Sequence, residues 1–291
     1  MPLRANQDWD FSLPAAPRFV LRGLLRRQCL LLVFCCLVCC APSARALYFG
    51  TNLAQPGRVI TFEALPGVRA RWEAGQVGKM PPRARGAFVM PQGATNLLRP
   101  IPILIVSVPS GGSAISALPG YTNVAWTEGW LVLAADGPRI AAEDDTVEWG
   151  IAMLGSVLEQ FTRTWPQAKQ WPVACAGFSG GAKRSAAAGA ALLRDGWRVI
   201  GVFMGGCNED RATLGMELFK PGAAFLPVPM FLSSGVGDRI ATPAQVTAVR
   251  DSMARSGFTQ IRLESYAGGH QLDPEQLVQA LRWFRQAGGA R

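Results

Sequence analysis

A motif of small residues around one serine, Gly177-Phe178-Ser179-Gly180-Gly181, constrains this chain more than any other stretch. An apolar run at residues 173–176 precedes it and an alanine-rich run at residues 186–193 follows it, which is the order of a strand, a sharp turn and a helix. A serine at the tip of such a turn adopts a strained backbone conformation, so the residues two positions before and after it must be small. The two outer glycines meet this requirement. The stretch therefore predicts a β–α unit that exposes the Ser179 hydroxyl.

The predicted turn has a chemical consequence, because the helix begins directly beside Ser179. The first N–H groups of a helix lack intrahelical acceptors and carry the positive end of the helix dipole, so they favour negative charge next to this serine. On its own, a G-x-S-x-G motif is a modest signal. A glycine-rich turn that only closes a β–α unit is the alternative. Other parts of the sequence are needed to distinguish this structural turn from one that presents a reactive serine.

Apolar, strand-like runs alternate with helical patterns along most of the chain. Strands that alternate with helices predict an α/β fold with a doubly wound, mainly parallel sheet and helices on both faces. In such sheets, ligands bind at the carboxyl ends of the strands. The clearest predicted helix repeats apolar residues along one face, at Val147, Ile151, Leu154, Leu158 and Phe161. Around the serine motif, the predicted strands cover residues 101–108, 130–135, 199–204, 229–234 and 261–266.

The region before residue 100 has a different pattern. Two short β-type runs, residues 58–65 and 68–72, flank Pro66-Gly67 and predict an N-terminal antiparallel hairpin. Residues 75–99 are rich in Pro, Gly and Arg and are typical of a loop, with room for a short strand at residues 87–90.

Three predicted loops leave carboxyl strand ends with reactive groups. Ser179 is followed along the chain by Asp238 in Gly235-Val236-Gly237-Asp238-Arg239, and then by His270 in Gly268-Gly269-His270-Gln271. His270 is the single histidine of the 291 residues, and it falls in the loop after the last strand, where a general base for the serine is required. The pattern predicts a catalytic triad in which His270 takes the Ser179 proton and Asp238 orients the imidazole.

Two parts of this predicted site are less tightly defined by the pattern. Glu209 or Asp210, which follow the preceding strand, could supply the carboxylate in place of Asp238. For the oxyanion, we expect the backbone N–H of Gly180 as one donor and an N–H of the loop at residues 110–113 as the other, with Gly112 preferred. A plain glycine turn is the alternative interpretation of that loop.

At these residues the chain resembles the α/β-hydrolase superfamily, and within it the single-domain secreted or periplasmic esterases similar to polyhydroxybutyrate-depolymerase-like and dienelactone-hydrolase-like proteins. The resemblance covers about residues 104–284. It implies a carboxylesterase without a cofactor that cleaves a small-molecule or polymer ester. One departure is that the usual His-Gly of the oxyanion loop is Ser110-Gly111 here. A serine peptidase of the same fold and a catalytically inactive envelope binding protein are the alternatives, although no triad member is missing.

The segment between the predicted strands at residues 199–204 and 229–234 determines how open the site is. Residues 207–228 have room for one short helix, at residues 211–219, and we expect no large cap domain. Gly111, Met216 and Phe219 are candidate substrate-binding residues. Leu218, Phe225 and Leu226 could extend the same apolar wall, unless all these side chains only pack the helix onto the sheet.

The first residues have the three-part pattern of a secretory signal peptide. A basic stretch at residues 1–27 is followed by an unbroken apolar run at residues 29–41 and by Ala44-Arg45-Ala46. We expect cleavage before Leu47, export to the periplasm or medium, and a single hydrolase domain at residues 47–291. A membrane anchor is an alternative interpretation, but the apolar run is shorter than the ~20 residues that span a bilayer. Lipid attachment at Leu37-Val38-Cys39-Cys40 is a further alternative.

Cysteine and charge patterns exclude several function classes. After the leader, the chain retains Cys175 and Cys207, which favours buried free thiols, with a bridge between them as the alternative. One histidine and these two cysteines on different strands do not make an ordinary zinc site, and no metal is expected. The net charge of +9 is spread along the chain without a Lys/Arg run, so no nucleic-acid partner is predicted.

Overall fold

The described residues of the computed structural model, 57–63, 84–91, 100–109, 111–137 and 147–289, form one sheet of eight strands with helices on both faces. The order of the strands across the sheet is β1-β2-β4-β3-β5-β6-β7-β8. The strands are β1 Val59–Glu63, β2 Arg85–Val89, β3 Ile103–Ser107, β4 Leu131–Ala135, β5 Pro172–Phe178, β6 Arg198–Gly205, β7 Met230–Gly235 and β8 Ile261–Tyr266. The helices are α1 Ala114–Ala117, α2 Pro119–Thr127, α3 Val147–Thr164, α4 Gly180–Arg194, α5 Arg211–Phe219, α6 Pro243–Arg255 and α7 Pro274–Gly289.

Strands β3 to β8 run parallel, whereas β2 is antiparallel to both β1 and β4. The doubly wound, mainly parallel sheet is therefore confirmed, and it has an antiparallel pair at its N-terminal edge. β3 alternates its side chains between two apolar layers: Ile103 and Ile105 lie in one, and Leu104 and Val106 lie in the other. Helices α3, α4, α5 and α6 cover the first layer, and α1, α2 and α7 cover the second.

The predicted antiparallel pairing at the N-terminal edge of the sheet is present between β1 and β2. β1 pairs with β2, in a register that sets Val59 opposite Val89 and Phe62 opposite Gly86. A Cβ atom at Gly86 would lie 2.8 Å from the Phe62 ring, so the glycine makes room for the phenylalanine that crosses it. The predicted turn at Pro66-Gly67 and the predicted strand at residues 68–72 lie outside the described residues, as does the predicted leader.

The helix predicted from the apolar repeat at residues 147–161 is present in the structure as α3. In α3, the predicted apolar face is buried at Leu154, Leu158 and Phe161. Helix α6 begins at a capping box, in which the Thr242 hydroxyl accepts from the N–H of Gln245 and the Gln245 side chain accepts from the N–H of Thr242.

The segment between β6 and β7 is described in full and contains one short helix, α5, and a 3₁₀ turn at Ala223–Phe225. The expected absence of a large cap at this position is thus confirmed. Cys175 and Cys207 are both free and buried. Among the described residues, none of the helices has the length and apolar character needed to cross a membrane.

Candidate active site

Ser179 occupies the turn between β5 and α4 in a backbone conformation that residues other than glycine rarely adopt. Its φ is 55° and its ψ is −122°, a region that costs on the order of 1 to 3 kcal/mol for a residue other than glycine. Two backbone hydrogen bonds hold it there: its N–H donates to the carbonyl of Gly205 at 2.8 Å, and its carbonyl accepts from the N–H of Ala182 at 3.0 Å. The strained serine that the sequence motif predicts is therefore present.

The two outer glycines of the motif are required by backbone contacts. A Cβ atom at Gly177 would lie 2.1 Å from the carbonyl oxygen of Gly181, and a Cβ atom at Gly181 would lie 2.3 Å from the carbonyl oxygen of Ser107. Real Cβ atoms do not approach backbone this closely. The turn can therefore form only if both positions lack a side chain, which is the steric reason for the motif.

Three side chains from three carboxyl strand ends form a hydrogen-bonded chain. Nε2 of His270 lies 2.9 Å from Oγ of Ser179, and Nδ1 of His270 lies 2.8 Å from Oδ2 of Asp238. The serine follows β5, the aspartate follows β7 and the histidine follows β8. The structure thus brings together the three residues that the sequence pattern singled out, in the geometry of a nucleophile, a base and an orienting acid.

The Asp238 carboxylate is buried and fully satisfied by hydrogen bonds. While Oδ2 faces His270, Oδ1 accepts from the N–H groups of Ile240 and Ala241 at 2.8 and 2.9 Å. Burial acts to raise the pKa of this carboxyl, but the hydrogen bonds from His270, Ala241 and Ile240 outweigh burial and hold the pKa below its ordinary value. Asp238 is therefore ionised at neutral pH and can stabilise a positive imidazole.

The alternative carboxylates have other partners. Glu209 is paired with Lys183 and with Arg211, whose Nη2 lies 2.6 Å from Oε2 of Glu209. The hydrogen bond from Lys183 is the main reason that the pKa of Glu209 lies below its ordinary value, and Arg211 adds to the effect. Asp210 caps α5 by accepting from the N–H of Thr213 at 3.0 Å. Of the three candidates, the one bonded to the histidine is Asp238.

Two residues that the sequence analysis did not single out contact the His270 ring. The Phe178 ring lies 4.7 Å from the imidazole, centroid to centroid. Gly206 lies on the same side, because a Cβ atom there would be 3.1 Å from Cε1 of His270 and 3.0 Å from the Phe178 ring. The signal for Gly206 was present in the sequence as a glycine pair at the end of a strand. It marks a place where the backbone passes close to another group.

The two predicted oxyanion donors, the N–H groups of Gly180 and Gly112, differ in whether they already have an acceptor. Gly180 is the first residue of α4, so its N–H has no acceptor within the helix, and its Cα faces Pro109 of the neighbouring loop. The N–H of Gly112, in contrast, donates to the carbonyl of Pro109 at 3.0 Å, and the N–H of Ser113 donates to the Ser116 hydroxyl. The preference for Gly112 as the second donor was therefore wrong, because its N–H closes a turn.

Residues after β4 hold this loop in place, and the sequence analysis did not identify them. The N–H of Gly137 donates to the carbonyl of Gly112 at 2.9 Å, and Oδ1 of Asp136 accepts from the N–H of Ala114 at 2.8 Å. A Cβ atom at Gly137 would lie 2.2 Å from the carbonyl oxygen of Pro109. The Asp136-Gly137 pair, visible in the sequence only as a strand end, is the support of the loop beside Ser179.

The predicted substrate wall on α5 is wrong for Phe219, because the helix runs away from the serine. Its start is near Lys183, which pairs with Glu209, and its middle is near Ala187, since a Cβ atom at Gly215 would lie 3.2 Å from the Cα of Ala187. The Phe219 ring is at the far end of α4, 5.6 Å from the guanidinium of Arg194.

A helix of 15 residues such as α4 is about 22 Å long, so the last turn of α5 lies well away from Ser179. Phe219 is buried in the apolar layer under α4 and α5, and Met216 packs partly buried against the same layer. Phe225 is fully buried there as well. These side chains attach the helix to the sheet, as the alternative interpretation held, and do not form a wall around Ser179.

The strand order, the antiparallel β2 and the serine turn after β5 together define an α/β-hydrolase fold. No family model and no curated protein matches the chain, but many solved structures do. A dienelactone hydrolase from Anabaena variabilis is similar over 79% of this chain and 97% of its own, with 17% identity and a TM-score of 0.52.

A ferulic acid esterase shares 13% identity over 79% of this chain and 98% of its own, with a TM-score of 0.53. An α/β serine hydrolase without a lid, from Xanthomonas campestris, shares 17% identity over 80% and 95%, with a TM-score of 0.50. The solved structures that share this fold with the chain thus include serine hydrolases and esterases. At these identities the similarity concerns the fold.

Proposed function

We propose that the protein is a serine hydrolase that cleaves carboxylic esters through an acyl-enzyme on Ser179. The observation that carries the proposal is the continuous hydrogen-bonded chain from Oγ of Ser179 through both nitrogens of His270 to Asp238. A histidine in contact with a serine and a buried carboxylate at once is the arrangement that activates a hydroxyl as a nucleophile.

In the acylation step, Oγ of Ser179 attacks the ester carbonyl carbon while Nε2 of His270 takes its proton. The resulting imidazolium faces the buried carboxylate of Asp238, which stabilises its positive charge. The tetrahedral intermediate then collapses, the bond to the alcohol oxygen breaks, and His270 returns the proton to the leaving alcohol. The acyl group remains on Ser179.

In the deacylation step, His270 takes a proton from water, and the hydroxide attacks the carbonyl carbon of the acyl-enzyme. The second intermediate releases the carboxylic acid, and the proton on His270 goes back to Oγ of Ser179. Apart from the leaving alcohol and the attacking water, no group outside the triad needs to gain or lose a proton.

The oxyanion of both intermediates needs backbone donors beside Ser179. The N–H of Gly180 is one, because the helix leaves it without an acceptor. With the N–H groups of Gly112 and Ser113 committed to other acceptors, we propose the N–H of Gly111 as the second. Gly111 has a φ of 71°, and a Cβ atom there would meet nothing within 4 Å, which leaves space for a substrate.

The substrate we propose is a soluble ester with a short acyl group or an aromatic group. The short, fully described segment between β6 and β7 supports an open site. We propose apolar contacts from the loop around Asp238 and from α1. In that loop, Val236 and Ile240 expose 63% and 62% of their surface, and Ile115 of α1 exposes 55%. They are the most exposed large apolar side chains among the described residues, and all three follow strand ends that carry the site.

A fluorophosphonate probe tests the proposal directly. We expect one adduct on Ser179 by peptide mass analysis, and no adduct on Ser179→Ala. Ser179→Ala and His270→Ala should each lower kcat by about 10⁴ to 10⁶, with the double variant scarcely worse because the triad acts as a unit. Near-normal turnover in His270→Ala would contradict the triad.

A substrate panel of esters, thioesters and peptide amides separates the alternatives. Faster cleavage of the amides would indicate a peptidase, and no turnover of any member would indicate a binding protein.

We also propose that residues 1–46 are a leader that is removed on export. The support is the order of basic, apolar and Ala-x-Ala segments in the sequence. N-terminal analysis of the protein recovered from its native host should begin at Leu47 or within a few residues. Recovery of the full-length chain, or of a chain lipidated at Cys39 or Cys40, would overturn this proposal.

A further inference from the structure

Tyr266 lies at the carboxyl end of β8, four residues before the histidine, and none of the proposed catalytic steps uses it. Its hydroxyl donates to the carbonyl oxygen of Gly269 at 2.9 Å and also lies within hydrogen-bond distance of the carbonyl oxygen of Gln271. These two carbonyls belong to the residues immediately before and after His270. One phenol group therefore contacts the backbone on both sides of the histidine.

The backbone at His270 forms a tight turn. The N–H of Gln271 donates to the carbonyl of Gly269 at 3.0 Å, which makes His270 the central residue of a three-residue turn. A turn of this kind aims its central side chain by its own conformation. The Tyr266 hydroxyl shares the Gly269 acceptor, so the phenol and the turn are joined at one oxygen.

The neighbouring strand holds only the first part of this loop. The N–H of Val236 donates to the carbonyl of Tyr266 at 3.0 Å, and the N–H of Gly237 donates to the carbonyl of Gly268 at 2.8 Å. Beyond Gly268 the ladder ends, and helix α7 does not begin until Pro274. Within the described part of the chain, the Tyr266 hydroxyl is the one group outside the turn that bonds the backbone of residues 269–271.

The Tyr266 ring also packs against the backbone of the loop at Gly268. A Cβ atom at Gly268 would lie 2.6 Å from Cε2 and 2.9 Å from Cδ2 of the ring, so the glycine makes room for the ring to lie against the backbone. Burial is the main cause that raises the pKa of Tyr266 above its ordinary value, and the charges of Asp238 and Asp273 add to it. The phenol therefore keeps its proton at neutral and mildly alkaline pH and remains a donor.

We propose that Tyr266 is a positioning residue that holds His270 between Ser179 and Asp238 by sharing its one hydroxyl hydrogen between the backbone carbonyls on both sides of the histidine. The role rests on the proposed function, because the orientation matters for proton transfer from Ser179. The two hydrogen bonds of His270, of 2.9 and 2.8 Å, point from opposite sides of one ring. A rotation of the turn would lengthen at least one of them.

Tyr266→Phe tests this role because it removes the hydroxyl and keeps the ring on Gly268. Tyr121→Phe is the matched control, since it makes the same change at a buried tyrosine of α2. The chain has a single histidine, so the ring N–H protons seen by NMR after ¹⁵N-histidine labelling all come from His270. The Nδ1–H proton bonded to Asp238 should give a low-field resonance.

We expect Tyr266→Phe to shift or broaden this resonance and to lower kcat by about 10- to 100-fold, the cost of a small misplacement of a catalytic group. KM should change less than about twofold, and fluorophosphonate labelling of Ser179 should slow with kcat. Tyr121→Phe should leave the resonance and kcat unchanged. If the resonance and kcat of Tyr266→Phe match those of the parent protein, or if the control changes them equally, the proposal is overturned.

The resonance also separates this inference from the proposed function. If the parent protein hydrolyses no ester but Tyr266→Phe alone alters the Nδ1–H resonance, the positioning role stands and the proposed reaction fails.

Discussion

The guanidinium of Arg184 donates a hydrogen bond of 2.6 Å to the carbonyl oxygen of Val108. Arg184 lies near the start of α4, the helix that follows Ser179, and Val108 is the last buried residue before the loop that contains the proposed oxyanion donor Gly111. Arg184 is itself 9% exposed, and its side chain passes close to Gly150 of α3. This contact joins the serine helix to the loop that faces it.

Removal of that contact should affect both stability and catalysis. Arg184→Met keeps the side-chain length but leaves the Val108 carbonyl unpaired, which should lower the free energy of unfolding by about 1 to 3 kcal/mol. Because the loop is then held less firmly, kcat should fall about tenfold. Urea unfolding and ester kinetics measure the two effects. Arg250→Met is the control: Arg250 pairs with its neighbour Asp251 on the surface, so a change below about 1 kcal/mol is expected.

The turn at Ser179 should not tolerate a methyl group at Gly177. Gly177→Ala places a Cβ atom on the backbone of Gly181 and should cost at least about 3 kcal/mol in the free energy of unfolding, with loss of activity. Gly155→Ala is the matched control, since Gly155 is exposed on α3 and a Cβ atom there would meet nothing within 4 Å. That variant should be neutral or stabilised by up to about 1 kcal/mol. Equal effects of the two substitutions on the unfolding curve would contradict the steric argument.

Exchange of carboxylate for amide distinguishes the two acids near the site. Asp238→Asn should lower kcat by about 10⁴, because the amide can no longer hold the imidazole in the required orientation and stabilise its charge. Glu209→Gln should lower kcat by less than about tenfold, since Glu209 bonds Lys183 and Arg211. Ester kinetics of the two purified variants provide the comparison. A larger loss in Glu209→Gln would mean that the proposed acid is wrong.

Asp238 should also contribute a pH-dependent part of stability. Its pKa is lowered in the folded protein, so its stabilising effect is fully present above the unfolded value of about 3.9 and is lost as the pH falls through the folded value. Asp238→Asn should therefore be less stable than the parent by about 1 to 3 kcal/mol at pH 7, and the difference should narrow below about pH 4. Denaturant unfolding of both proteins at pH 7 and pH 3 measures it. If the difference in the free energy of unfolding between the two proteins stays constant from pH 7 to pH 3, ionisation of Asp238 does not contribute to stability.

Activity should show no interfacial activation. The segment between β6 and β7 is short, and Phe219 and Phe225 are packed into the core instead of covering the site. Initial rates on a sparingly soluble ester should saturate smoothly as its concentration passes the solubility limit. A jump in rate at that limit, or a strong preference for long-chain triglycerides over short esters, would show that a mobile lid controls access.

Much of the candidate site could be predicted from the sequence because its determinants are local. The glycines around Ser179 follow from the sterics of one turn, and the sheet type follows from the spacing of apolar residues. Because the chain has a single histidine, the sequence offered one histidine as the candidate base. The short segment between β6 and β7 likewise limited the size of any cap, because about 20 residues cannot build a separate domain.

Contacts between residues far apart in the chain were decided by the tertiary structure alone. The pairing of β1 with β2, in which Phe62 lies opposite Gly86, joins segments far apart in the chain, and no local pattern shows it. The N–H of Gly112 closes onto Pro109, and Phe219 lies at the far end of α4, since hydrogen bonding and helix direction depend on the folded backbone. The same holds for the hydrogen bond of His270 to Asp238 and for the contacts of the Tyr266 hydroxyl with the backbone beside His270. The sequence identifies these groups as candidates, but only the folded chain sets the distances between them.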